Sequence, residues 1–128
     1  MIIRTLEAVE KTDRFVDWGN GTSHRFLVCE DGMGFTMCHT IVRAGTTTRL
    51  KYENHLEACY CIAGSGTVTG ADGQDHVIKP GTMYALDQHD DHTLTAYSKT
   101  DLVLVSVFNP PLSGQETHDP TGAGPSGY

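Results

Sequence analysis

The chain has 128 residues, 38% of them hydrophobic, which suits one domain around one core. Sixteen acidic residues against nine basic ones leave a formal charge of −7, which argues against a nucleic-acid backbone or an anionic membrane as partner. No apolar run reaches the length of a transmembrane helix, and "MIIRTLEAVEKTDR" turns charged too early for a secretory leader, so a cytoplasmic protein is expected.

In chain order, "IIR" predicts a short strand. "TLEAVEKT" predicts a short helix with Thr5 as its cap and Leu6 and Val9 on one side. "DWGNGTS" reads as a turn-rich loop. From there the pattern is β: "HRFLVCE", "MGFTMCHTIVRA", "TTTRLKYE", "LEACYCIAG", "SGTVTG", "DHVIKP", "TMYALD", "HTLTAYS" and "DLVLVSVF" are short β-branched and aromatic runs. Turn chemistry separates them, so the fold class is all-β, a sandwich or barrel. "DLVLVSVF" is apolar on both faces, which calls for a second sheet or a second subunit over it. Cys59 and Cys61 share a strand face and read as buried thiols, and all four cysteines are expected to be reduced. Residues 1–112 read as the barrel domain and 113–128 as a flexible C-terminal tail, because the tail is glycine-rich and nearly free of aliphatic side chains. Within it, Glu116 and His118 could reach a site and close over it.

Gly45, Lys51, Glu53, Glu57 and Gly64 keep the spacing that resembles the first motif of the cupin superfamily, with Lys51 and Glu53 where two histidines usually stand. "KPGTMY" resembles the second motif, with Tyr84 in place of its histidine. The resemblance implies a double-stranded β-helix, a jelly-roll barrel, here with a short N-terminal helix. Either the site is metal-free or a different ligand set has taken over.

"DGMGF", "YENHLEA", "PGTMYALDQHD" and "VFNPPLSGQETHD" together resemble the ectoine synthase family of cupins, from "RTLEAVEKTDR" to about Asp119. That likeness implies a metal held by Glu57, Tyr84 and His92, with His89 left to the turn or to supporting contacts. Iron(II) is the first expectation, and mixed oxygen and nitrogen ligands also admit Zn²⁺ or Mn²⁺. The reaction implied is the cyclisation of N-γ-acetyl-L-2,4-diaminobutyrate to the compatible solute ectoine with loss of water, a hydro-lyase step serving osmoprotection. Arg25, Thr40, Tyr52, His55, Phe108, Glu116 and His118 fall on substrate-site positions of that family, and Cys38, at a position variable in it, is assigned only a pocket-lining role. Of these, Tyr52, Glu116, His118 and Thr40 are the candidates for proton handling, and Arg25 is the natural partner of a substrate carboxylate. The family tryptophan two residues before the serine of "SHR" is Gly21 here, with Trp18 nearby. Cupins of this length commonly pair, so a homodimer is expected. The rival readings are a non-catalytic cupin binding a small polar metabolite and a cupin dioxygenase. The second lacks the two-histidine, one-carboxylate triad.

Overall fold

The computed structural model describes residues 1–116, 118 and 128. Among them are one short helix, α1 (Leu6–Glu10), and ten strands. These are β1 (Phe15–Asp17), β2 (Gly21–Leu27), β3 (Thr36–Val42), β4 (Thr47–Leu50) and β5 (Leu56–Ala63). They continue with β6 (Gly66–Thr69), β7 (Asp75–Ile78), β8 (Met83–Leu86), β9 (His92–Ala96) and β10 (Leu102–Asn109). All pairings are antiparallel. One sheet has the order β1-β2-β3-β10-β5-β8 and the other β4-β9-β6-β7, two layers closed around a common interior. The all-β expectation and the short N-terminal helix hold. No helix among the described residues is long and apolar enough to cross a membrane.

Helix α1 starts where Thr5 Oγ1 accepts the Ala8 amide at 3.1 Å, and it lies on β2 with Val9 buried. "IIR" forms no strand, because Arg4 leaves the sheet to donate to the Phe26 carbonyl and to Asp31 Oδ1. "DWGNGTS" is not all loop. Its ends belong to a β1–β2 hairpin in which Asp17 pairs with Thr22, and Gly19 at φ 99° makes the turn. "HRFLVCE" extends only to Leu27 before a single 3₁₀ turn at Cys29–Asp31. There the Asp31 carboxylate takes the Val28 amide and so competes with the ladder.

Side chains alternate inward and outward along each strand. Glu57, Cys59 and Cys61 of β5 point in, as do Leu102, Leu104, Ser106 and Phe108 of β10. The interior is completed by Val42, Leu50, Val68, Ile78, Leu86 and Leu94. Outward, Tyr60, Ile62, Met83 and Val107 remain 37–60% exposed, so no second layer among the described residues covers that face of β10. All four cysteines are unpaired thiols. The predicted flexible tail falls mostly on residue 117 and residues 119–127, outside the described residues. Tyr128, however, is buried in the interior cluster.

Gly64 and Gly73 both hold left-handed backbone, but only Gly64 lies against another stretch of chain among the described residues. Gly64 has φ 74°, and a Cβ there would lie 2.1 Å from the Asp101 carbonyl oxygen. Gly73 has φ 78° with nothing within 4 Å of such a Cβ. Gly64→Ala therefore meets strain and a backbone clash and is expected to cost about 2 kcal/mol or more, with Gly73→Ala costing only about 1 kcal/mol. Urea unfolding of both variants checks this, and equal losses would remove the clash argument.

Candidate active site

Cross-strand register carries one row of inward side chains over five strands. Arg25 of β2 faces Cys38 of β3, Cys38 faces Ser106 of β10, Ser106 faces Cys59 of β5, and Cys59 faces Tyr84 of β8. The adjacent row places Phe108 opposite Glu57, and Glu57 opposite Leu86. From the second sheet, His92 of β9 pairs with Leu50, and Tyr52 follows β4 with its ring 5.5 Å from His92 and 5.8 Å from Phe108. Tyr52 thus bridges the sheets.

Glu57 is 7% exposed, and among the described residues no ion pair reaches it. Burial pushes its carboxyl up from 4.5 to about 7, against hydrogen bonds from Cys59, Tyr52 and Ser106 that favour the charge. Burial raises Tyr84 and Tyr52 well above the ordinary phenol range, with the negative charge of Glu57 adding to both. His92 is 2% exposed, and burial lowers its pKa. Its Nδ1–H donates to the Asp90 carbonyl at 2.9 Å, because a carbonyl can only accept. The lone pair of the neutral ring therefore sits on Nε2, which is buried with no hydrogen-bond partner. His89, at φ 52°, uses Nδ1–H to hold the Tyr52 carbonyl at 2.7 Å and serves the turn. No three His, Cys, Asp or Glu side chains among the described residues form a metal-holding group.

Arg25 is 1% exposed, with both terminal nitrogens engaged and Nε buried without a hydrogen-bond partner among the described residues. Nη1 donates to the Gly114 carbonyl at 2.6 Å, and Nη2 donates to the Glu116 carbonyl and to the Tyr128 hydroxyl. The Glu116 carboxylate accepts from the Ser113 amide and hydroxyl and from the Gly114 amide, which hold its pKa below the usual range against the opposing effect of burial. His55 Nε2 lies 3.9 Å from it. Burial drives His118 down to about 3, with Arg25 and His92 adding repulsion, so its imidazole is neutral at physiological pH. Thr40 Oγ1 and Ser106 Oγ share a hydrogen bond of 3.0 Å, and Cys38 is a buried thiol pushed up to about 12 by burial.

Thr40, Tyr52, Glu57, Tyr84, Phe108 and His118 line one interior cavity of about 20 Å³, room for roughly one water. His92 and Arg25 are not on that cavity's wall; His92 lines, with Tyr84, an outer groove of about 650 Å³ whose wall has neither Arg25 nor Glu57. Sequence reasoning missed Ser106, because a serine in an apolar strand reads as an ordinary strand residue. It missed Tyr128 because the surrounding composition reads as tail. Trp18, left unassigned in the sequence, lines the cavity. A Cβ at Gly21 would lie 2.5 Å from its indole ring, so Trp18 covers the space over that glycine.

Two antiparallel sheets closed into a jelly roll, with titratable groups gathered on the inner wall, define a cupin barrel. A Cupin 2 conserved barrel domain protein from Salinispora arenicola shares this fold with TM-score 0.68 at 15% identity, covering 84% of this chain and 87% of that one. The family profile described as Ectoine synthase matches residues 1–127. The L-ectoine synthase of Hahella chejuensis is 50% identical over 126 residues, 98% of this chain and 94% of that one. The crystal structure of ectoine synthase from P. lautus matches with TM-score 0.84 and 44% identity, covering 89% and 81% of the two chains. The chain belongs to the ectoine synthase family, and its activity is that family's hydro-lyase reaction.

The raised Glu57 carboxyl gives a pH signature in metal-free protein. Between about 4.5 and about 7 the folded chain holds a proton that the unfolded chain has lost, so the Glu57 contribution to stability falls as pH rises through that window. Glu57→Gln should remove this part of the slope. Urea midpoints across the window measure it, and parallel curves for the two proteins would contradict the assignment.

Proposed function

We propose that the chain closes N-γ-acetyl-L-2,4-diaminobutyrate to ectoine within the barrel, with a metal, iron(II) first and Zn²⁺ or Mn²⁺ next, held by Glu57, Tyr84 and His92. The observation that supports this most directly is the buried Glu57 carboxylate without a cation, together with the buried, partnerless Nε2 of His92. A buried carboxylate with hydrogen-bond donors but no positive charge beside it among the described residues is costly, and a cation offsets that cost. The donor set also fits: one carboxylate, one phenol and one imidazole leave positions open for a substrate oxygen.

In the reaction the α-amine attacks the acetamide carbon of the same molecule. One C–N bond forms, and the carbonyl oxygen departs as water with both hydrogens drawn from nitrogen. The ends are tethered, so the first task of the protein is to hold a folded conformer. Arg25 takes the substrate carboxylate. Phe108 and Cys38 wall the apolar part of the substrate, and Thr40, coupled to Ser106, orients the amide. A bound metal supplies a Lewis acid for the amide oxygen. His118, whose imidazole burial holds neutral, and the protonated Tyr52 phenol relay the protons that leave nitrogen without retaining them. Glu116, tied to the Ser113–Gly114 turn, and His55 beside it shape the entrance. Glu116 and His118 serve as the near part of a lid.

The working unit is a homodimer in the cytoplasm, where ectoine acts as an osmoprotectant. The exposed Tyr60, Ile62 and Val107 face gives the pairing surface. Incubation of iron-loaded protein with N-γ-acetyl-L-2,4-diaminobutyrate is expected to yield the amidine with or without oxygen. Tyr84→Phe should lower bound iron and turnover together, by on the order of 100-fold. Full activity with normal iron in that variant removes Tyr84 from the centre. Metal binding without any product returns the reading to a non-catalytic barrel.

A further inference from the structure

The interior cavity is small for what it is asked to hold. It measures about 20 Å³, whereas pockets for small-molecule ligands start at about 300 Å³. The missing space is filled by a side chain. Tyr128 is 2% exposed, and its ring stacks on His118 at 4.1 Å with the planes 9° apart. The ring also lies 5.1 Å from Phe108 and 5.3 Å from Tyr52. Its hydroxyl takes a hydrogen bond of 2.7 Å from Arg25 Nη2, and its main-chain oxygen accepts from the Asn54 amide at 3.0 Å. Every one of these side-chain partners belongs to the substrate site proposed above.

We propose that Tyr128 occupies the substrate position in the free protein, competing with the substrate for Arg25 and for the apolar wall. Its phenol stands in for the group Arg25 would otherwise bind, and its ring stands in for the carbon skeleton. Binding then requires Tyr128 to swing out, and apparent affinity is set by the fraction of molecules in which it has done so. Tyr128 therefore sets the substrate affinity of this chain without entering the chemistry. The proposal rests on the substrate site assigned to Arg25, Tyr52, Phe108 and His118.

Two measurements on iron-loaded protein test it in Tyr128→Ala and Tyr128→Phe. The first is acrylamide quenching of Trp18, the single tryptophan, whose ring lines the cavity. Removing the ring should raise the quenching constant roughly twofold or more as the interior opens to solvent. The second is calorimetric affinity for N-γ-acetyl-L-2,4-diaminobutyrate, expected to tighten by about tenfold in Tyr128→Ala. Tyr128→Phe, which keeps the ring and loses only the bond to Arg25, should fall between. Unchanged quenching in Tyr128→Ala overturns the proposal, and so does raised quenching with unchanged or weaker affinity. If the wild-type protein neither binds nor cyclises this compound, the functional reading fails separately, and quenching alone decides whether Tyr128 fills the cavity.

Discussion

The two-residue period of the antiparallel strand is the constraint on which this site depends. Because pairing is fixed residue by residue, one inward position on each of five neighbouring strands lies in a single line. That line runs Arg25, Cys38, Ser106, Cys59, Tyr84. It sets a permanent cation at one end and a phenol at the other, with small polar side chains between them. A slip of one residue anywhere would turn the whole of that strand's inner set to the outside. The register irregularities fall between Arg25 and Leu27 in β2 and between Val103 and Leu104 in β10, at the margins of the row. The site's geometry is thus inherited from the sheet.

The price of such a row is electrostatic. A carboxylate facing an apolar interior raises its own pKa and those of its neighbours, and Glu57 does so to Tyr52, Tyr84, Cys59 and Cys38. Hydrogen bonds from Tyr52, Cys59 and Ser106 offset part of the cost. None of them brings a positive charge. The arrangement is one that a bound cation improves and that an apolar ligand does not.

How much of this was legible depended on whether the signal was periodic. Glu57, Cys59 and Cys61 could be placed on one face from spacing alone, and the structure buries all three. Thr5 as a helix cap was equally readable, since a hydroxyl before an amphipathic turn has a direct local partner. The β1–β2 hairpin was not, because its strands are short and its turn residues dominate the composition. Tyr52 meets Phe108 across the sheets, and contacts between layers leave no trace in the spacing along one strand. Trp18 could be noticed only as a nearby aromatic. Its placement over Gly21 depends on a hairpin turn that the sequence reading took as loop.

Arg25 shows why these pieces belong together. A guanidinium that is 1% exposed cannot be left without acceptors, and its permanent charge cannot be neutralised by loss of a proton. In the free protein the Gly114 and Glu116 carbonyls and the Tyr128 hydroxyl supply acceptors, none of them a formal anion. A substrate carboxylate offers the same guanidinium a stronger, bidentate partner. The exchange replaces neutral acceptors by a charge without ever exposing an unpaired cation to the interior. The same residue therefore orders residues 113–116 and Tyr128 through neutral acceptors, the kind of partner that a carboxylate outcompetes.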